Sequence, residues 1–336
     1  MRRGAKSVLA AVVGLALAAV ASVTDAFWMR PGSSEPPALA GEYRNQWLRH
    51  EGHARRYGLY RPASLPPGAP LLVVLHGPIS DGDGMRALTA YRFDQWAEQH
   101  GWLVAYPTAR HRRWNDCRAS GAPPGAGAPA DDVGFLSGVV AEVVREHGAD
   151  PDQVHVVGYS GGGQMALRMA LQAPDLLASS VMVGTGVPEG GDNACGPVPA
   201  DAPRMLLVNG TADALNPYHG GTAEPGDGRQ SQVMSARASA LWLMGLDADA
   251  QPPAARDDAR RGISREHWRS AQREVGLLTV HGGGHTLPQP YVRYPRRLGP
   301  TYDRFDGIEA IARFVGASRQ ATAGTGAGTA AGCRSC

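Results

Sequence analysis

Lysine is almost missing from this 336-residue chain: Lys6 is the sole example, so nearly all of its 33 basic residues are arginine. Alongside heavy use of Ala, Gly and Pro, that points to coding bias and not to a binding surface. Charge of one sign is also in short supply, with 33 basic residues facing 31 acidic ones. The balance leaves no electrostatic case for nucleic acid, which demands a surplus of cations. Cysteine occurs only four times, and no internal repeat appears. What is present is an apolar content of 43% over a length that can bury a full core, which fits one large domain better than two.

The amino-terminal 26 residues form a unit of their own. Arg2, Arg3 and Lys6 precede an uncharged stretch over 7–24 rich in Ala, Val and Leu, the layout of a secretory signal peptide. Small residues at Ala19 and Ala21, or at Thr24 and Ala26, mark two cleavage sites. An uncleaved anchor is the alternative, but the stretch falls short of the roughly 20 apolar residues a spanning helix uses. Removing residues 1–26 takes away three basic residues and Asp25, which brings the charges to parity. The expected organisation is a signal peptide over 1–26, a Pro/Ser-rich linker over 27–41, a folded domain over 42–316 and a disordered tail over 317–336. The tail carries almost no large apolar residue to offset the entropy of ordering.

Within the folded part, short apolar runs alternate with longer helical patterns. Strands are expected at 71–76, 103–106, 154–159, 180–183, 205–209 and 277–281. Helices are expected at 85–100, 132–147, 162–172, 233–243 and 307–314. Continuous apolar strands separated by helices predict an α/β fold, with a mostly parallel central sheet and helices on both faces. Ligands in such sheets gather at the carboxyl ends of the strands.

Gly158-Tyr159-Ser160-Gly161-Gly162 lies where one strand gives way to a helix. The pattern G-x-S-x-G in that position is a nucleophile elbow, whose serine takes a strained backbone conformation that small neighbours make room for. The helix that follows aims free N–H groups at a developing oxyanion, with Gly161 the first donor. A serine hydroxyl is a weak nucleophile and needs a base, which in turn needs a carboxylate to orient it. VNGTADALNPYHGG carries Asp213 just past a later strand, and VHGGGHTLP carries His285 just past the last one. The order Ser, Asp, His is that of the α/β-hydrolases. His281 competes with His285, and HGGGH also reads as a pair of zinc ligands. Three glycines argue against the helix that pairing requires, and no carboxylate or cysteine stands nearby to complete a site.

The segments RRYGLYRPASLPPGAPLLVVLHG, GWLVAYPT, WNDCR, DDVGFL, VHVVGYSGGGQMALRMA, LLVNGTADALNPYHGG and VHGGGHTLP follow one another in that order. As an ordered set they resemble the exported polyhydroxybutyrate depolymerase-like esterases, a group close to the feruloyl and acetylxylan esterases. The resemblance implies an α/β-hydrolase fold and ester hydrolysis through Ser160, Asp213 and His285, without metal or cofactor. It implies an ester substrate, either a polyester oligomer or a plant-wall ester, and a secreted or periplasmic protein with no nucleic-acid partner and no membrane partner once the signal is removed. Alternatives on the same fold are an acyltransferase using the same triad and a non-catalytic envelope protein.

Two positions depart from the family. The residue after His-Gly usually gives the second oxyanion N–H, and here it is Pro78, which has none. Gly77, Ile79 and Ser80 are the candidate substitutes, Ser80 through its side chain. Leu287 stands where the family often has a tryptophan. Trp114, Tyr159 and Leu287 are candidate cleft residues, while a Trp114 that plugs its loop against the core is an equal reading. His76 is expected to hold the oxyanion loop, and Asp131 and Asp132 to act as cap and first-turn carboxylate of the next helix. The stretch 121–130 and the polar insertion 247–270 are candidate covers over the site. In an exported chain Cys117 and Cys195, both on loops at one edge of the sheet, are disulfide candidates, and Cys333 and Cys336 form a second possible pair.

Overall fold

The computed structural model describes residues 36–78, 80–119, 129–224, 230–247, 249–250 and 254–325. The expected signal peptide, most of the linker, Ile79, residues 121–128, Cys333 and Cys336 lie outside the described residues. Among those described, ten strands form one sheet in the order β1-β2-β4-β3-β5-β6-β7-β12-β11-β10, and β8 pairs with β9 in a separate ribbon. The centre consists of β3 (Ala69–Leu75), β4 (Leu103–Pro107), β5 (Ala149–Tyr159), β6 (Ser179–Val183), β7 (Arg204–Gly210) and β12 (Glu274–Val280), all parallel. Antiparallel strands flank it: β1 (Glu42–His50) and β2 (His53–Arg61) on one side, β10 (Ala254–Asp258) and β11 (Ile263–Arg269) on the other.

The apolar strands are continuous because both faces are covered. Along β3, Leu71, Val73 and Leu75 point into one core while Leu72 and Val74 point into the other. The first core is closed by α3 (Asp132–His147), α4 (Gly161–Gln172) and α5 (Ala236–Met244), through side chains such as Phe135, Met165 and Leu241. The second is closed by α1 (Gly82–Leu88), α2 (Arg92–His100) and α6 (Gly307–Thr325), through Met85, Phe93 and Ile311. The chain leaves β3 in one direction to reach β4 and returns on its other side as β5, so the sheet reverses its strand order between β3 and β5. A crevice opens at the carboxyl ends of such a pair.

Several elements differ from the pattern read along the sequence. The expected helix at 85–100 is two helices, broken where Ala90 and Tyr91 take positive φ of 49° and 58°. Neither glycine nor proline marks that break, so the apolar period runs through it unchanged. The expected helix at 233–243 begins at Ala236, capped by Ser235, whose side chain accepts from the Ala238 N–H. Residues Ser231–Val233 instead form β9, paired with β8 (Gly221–Ala223). The β1–β2 hairpin is dense in arginine and was not legible as strand. It turns on Glu51 and Gly52, both at positive φ, as a two-residue turn requires. The described part of the 247–270 insertion, expected as a cover, instead holds β10 and β11, which extend the sheet beyond β12. Helix α6 continues past residue 316, where the folded domain was expected to end.

The disulfide joins Cys117 to Cys195 across 78 residues, with Cα atoms 5.0 Å apart. Among the described residues no helix is long and apolar enough to cross a membrane.

Two of the buried histidines, His155 and His76, lie outside the Ser160 contact and belong to this framework. His155 on β5 bonds Ser179 Oγ through Nδ1 at 2.8 Å, and burial, reinforced by the Arg204 charge, pushes it down to about 3. His76, just past β3, is pushed down to about 4 by burial. Both folded-state values lie below that of an unfolded histidine, so acid protonates the unfolded chain first. Stability is therefore expected to fall as pH drops below about 6.5, by about 1.4 kcal/mol per pH unit for each group until its folded pKa is reached. Urea titrations between pH 7 and pH 4 measure this, and the slope is expected to shrink in His155→Gln.

Candidate active site

Ser160 occupies the turn from β5 into α4 with φ 55° and ψ −118°, a conformation that costs a non-glycine residue about 1–3 kcal/mol. The neighbouring glycines permit it. A Cβ on Gly158 would stand 1.9 Å from the carbonyl oxygen of Gly162, and one on Gly162 would stand 2.3 Å from that of Leu75. No larger residue fits at either position. Around Ser160 the backbone is held by its N–H donating to the Val183 carbonyl at 2.8 Å, and by Thr185 Oγ1 donating to its carbonyl at 2.9 Å. The Ser160 hydroxyl does not cap α4, so it is available to other groups.

That other group is His285. Its Nε2 lies 2.7 Å from Ser160 Oγ, and its Nδ1 lies 2.8 Å from Asp213 Oδ2. Asp213 Oδ1 accepts from the backbone N–H groups of Leu215 and Asn216, at 2.9 and 2.7 Å, which fixes the carboxylate plane. All three side chains are buried. They arrive from β5, β7 and β12, whose carboxyl ends share one edge of the sheet. The glycines before His285 let its loop pass between neighbours: a Cβ on Gly284 would meet the Leu298 carbonyl at 2.4 Å. The loop is then tied down by the His285 N–H donating to that carbonyl, and by Tyr159 Oη donating to the His285 carbonyl at 2.7 Å. His281 instead faces Ser264 Oγ at the sheet's outer strands, away from Ser160. Among the described residues no cluster of three His, Cys, Asp or Glu side chains could hold a metal ion.

Gly161 opens α4, where an N–H has no partner inside the helix and the helix dipole adds positive charge. Across from it stands Pro78, its Cδ 3.2 Å from a Cβ built on Gly161. The other expected donors are placed differently. Gly77 abuts Ser160, a Cβ there lying 3.5 Å from the Ser160 Cβ, and its carbonyl receives His76 Nδ1 at 2.6 Å. Ser80 turns its hydroxyl over the first turn of α1, beside Gly84. His76 Nε2 accepts from the Ala109 N–H at 3.0 Å, which assigns the proton to Nδ1 and makes His76 the peg that holds this loop.

Ser160 and His285 border a cleft of about 240 Å³, counting solvent at its mouth, with Arg118, Gln164, Thr185, Leu215, Asn216 and Ala223 on its walls. None of Trp114, Tyr159 or Leu287 borders it, which corrects Tyr159 and Leu287 as cleft residues and, of the two readings of Trp114, leaves the plug. Trp114 plugs its loop: it is 3% exposed, packs on His76, and donates Nε1–H to the His76 carbonyl at 2.9 Å. Tyr159 and Leu287 are spent on core packing beneath the site. The WNDCR stretch reaches the cleft through Arg118 instead. Asp131 is the expected cap of α3, accepting from the Gly134 N–H at 2.9 Å. Asp132 does more than line a first turn, since it is buried, bonds Arg55 at 2.6 Å and accepts the Asn115 N–H at 2.6 Å. Thr185, Gln164 and Asn216 carry no motif that marks them, and only the convergence of strands brings them to Ser160.

Comparison with known proteins bears on the family and the fold. Residues 56–195, which include Ser160, match the family described as Esterase PHB depolymerase. NocK of Nocardia uniformis subsp. tsuyamanensis, a protein named as an esterase, is 30% identical over 287 residues, covering 79% of this chain and 80% of that one. Poly(3-hydroxybutyrate) depolymerase of Ralstonia pickettii is 28% identical over 187 residues, 52% of this chain and 38% of that one. The bifunctional acetylxylan esterase/xylanase XynS20E of Neocallimastix patriciarum is 25% identical over 175 residues, 52% of this chain and 24% of that one. The chain thus spans well under half the length of the last two. An acetyl xylan esterase from Aspergillus awamori shares the fold, with a TM-score of 0.55 at 17% identity over 74% of this chain and 96% of that one.

Gly184, at φ 62°, supports the imidazole from below. A Cβ there would lie 3.2 Å from both Cε1 and Nδ1 of His285. Gly184→Ala is expected to push the ring by a few tenths of an ångström and to lower kcat by about tenfold, less than the roughly 10²-fold that a full ångström of misplacement costs. Steady-state kinetics on p-nitrophenyl acetate, beside a thermal melt showing the fold retained, check this.

Proposed function

The chain belongs to the esterase PHB depolymerase family and is a carboxylic ester hydrolase, and we propose that it works through a Ser160–His285–Asp213 triad and a covalent acyl-enzyme. The observation that carries this reading is the pair of contacts on one imidazole, 2.7 Å to Ser160 Oγ and 2.8 Å to Asp213 Oδ2. His285 Nε2 takes the hydroxyl proton as Ser160 Oγ attacks the ester carbonyl. Asp213 accepts from Nδ1–H, which keeps the basic lone pair on Nε2 and stabilises the imidazolium that forms. The negative charge gathers on the former carbonyl oxygen beside the Gly161 N–H. Collapse of this intermediate expels the alcohol, which leaves with the proton from His285. Water then repeats the sequence and frees the acid and Ser160.

The limited room beside Ser160 and His285, bounded by Leu215 and Ala223 as well as by polar side chains, supports short acyl groups on a larger alcohol, as on an esterified polymer or its oligomers, over long aliphatic chains. Export is part of the proposal. It is supported by the signal-like layout of residues 1–26 and by the Cys117–Cys195 disulfide, a bond that persists in oxidising compartments.

The purified protein is expected to hydrolyse p-nitrophenyl acetate, with rates declining as the acyl chain lengthens from acetate to octanoate, and to be labelled by a fluorophosphonate probe. Ser160→Ala is expected to abolish both signals. A correctly folded chain that neither turns over any ester of the series nor takes the label would end this reading. Sequencing the amino terminus of protein recovered outside the cytoplasmic membrane is expected to begin after Ala21 or Ala26, whereas an intact Met1 there would refute cleavage.

A further inference from the structure

Pro78 removes a backbone donor at the place where this fold ordinarily offers one, and we propose that the guanidinium of Arg118 replaces it as the second oxyanion donor. The inference rests on the ester-hydrolase reading above and names a further catalytic residue for the same reaction.

Two residues close on Gly161. From a Cβ built on Gly161, Pro78 Cδ lies 3.2 Å away, Arg118 Nη2 3.6 Å and the Pro78 nitrogen 3.8 Å. The Pro78 nitrogen is therefore where a second N–H would be found, with a methylene in place of the hydrogen. Arg118 Nη2 reaches the same space, and Arg118 borders the cleft together with Ser160 and His285.

The loop that delivers Arg118 is held at every step. Asp132 accepts the Asn115 N–H, Arg168 Nη1 donates to the Asn115 carbonyl at 2.8 Å, and Cys117 is tied to Cys195. The Ala194 N–H donates to the Cys117 carbonyl and the Ala119 N–H to the Asp192 carbonyl, each at 2.8 Å. The guanidinium itself is gripped by Asp116, which receives Nε at 3.0 Å and Nη2 at 2.5 Å. Both side chains are buried, and a buried cation is tolerated only with such a partner. A guanidinium presents five N–H donors in a rigid fork, so one edge can bond a carboxylate while Nη2 also serves the hole.

The chemistry favours this use. The tetrahedral intermediate carries a full negative charge on oxygen, and a charged donor makes roughly twice the bond a neutral N–H does. An arginine placed here stabilises the transition state more than the neutral ester, so its loss falls on kcat. An Arg118 that instead binds a carboxylate on the substrate would act alike in ground and transition states, and its loss would fall on KM for anionic esters alone.

The test measures kcat and KM on p-nitrophenyl acetate and on an ester bearing a free carboxylate. The chains are the parent, Arg118→Gln and Arg118→Lys, each with and without Pro78→Ala, with melts recorded for all. Arg118→Gln is expected to lower kcat on the neutral ester by about 10² to 10³-fold, with KM within about threefold of the parent. Arg118→Lys is expected to retain an intermediate rate. Pro78→Ala restores an N–H, so its gain is expected to be at least tenfold larger in the Arg118→Gln chain than in the parent. Undiminished kcat on the neutral ester, or a loss seen only as KM for the anionic one, overturns the inference. Should Arg118→Gln fail to fold, Pro78→Ala in the parent decides alone: a rise of 10²-fold or more would mean that the hole lacks a second donor and that Arg118 supplies none. A parent without esterase activity counts against the functional reading, whereas an active parent indifferent to Arg118 counts against this inference only.

Discussion

Ser160 can hold its positive φ only because two stretches of backbone approach each other more closely than any side chain allows. The Gly162 carbonyl lies where a Cβ of residue 158 would be, and the Leu75 carbonyl lies where one of residue 162 would be. Strand β5, helix α4 and the end of β3 are thereby locked together at the reversal of strand order in the sheet. The lock sets three things at once: it presents Oγ to His285, leaves the first N–H groups of α4 facing the cleft, and brings the Gly77–Pro78 turn up against Ser160. Strain at the serine is held by the buried sheet around it, as expected of a site whose surroundings over-determine it.

The rest of the site consists of groups that must not move relative to that turn. His285 stands on a loop threaded through glycines and tied by its own backbone, and Asp213 is oriented by two backbone N–H groups. The oxyanion side depends on polar groups buried with their partners: His76 pegs the loop after β3, and Asp132 and Arg55 anchor the loop carrying Trp114 and Arg118. Asp132 pairs Arg55 through Nη2 and so holds this buried charge in place, although Arg55 Nε and Nη1 find no hydrogen-bond partner among the described residues. Rigidity has a purpose here, because donors that are already aimed cost nothing to reorganise as charge develops.

How much of this is legible along the chain depends on whether the signal is local. The elbow is local, since GYSGG states its own backbone need, and so are the parallel strands, whose unbroken apolar runs reflect burial on both faces. The order of Ser160, Asp213 and His285 after successive strands follows from the same reading. Strands β1, β2, β10 and β11, the antiparallel flanks of the sheet, were hidden because polar and charged residues interrupt their apolar runs. The break between α1 and α2 was hidden because Ala90 and Tyr91 accept positive φ under tertiary constraint, without the glycine that would announce it. Tyr159 and Leu287 were misread, and Trp114 was open between two readings, for a related reason: an aromatic or aliphatic side chain reads the same whether it faces a cleft or a core.

The sequence by itself determined the fold class, the serine with its turn, and the identities of the carboxylate and imidazole, because each is dictated by a residue and its immediate neighbours. It also determined that Pro78 has no N–H to give. Only the tertiary structure decided what stands in that gap, which walls face Ser160 and which histidine of HGGGH reaches it. Those are distances between segments far apart in the chain, and they are set by how buried strands align and how glycine loops thread between them.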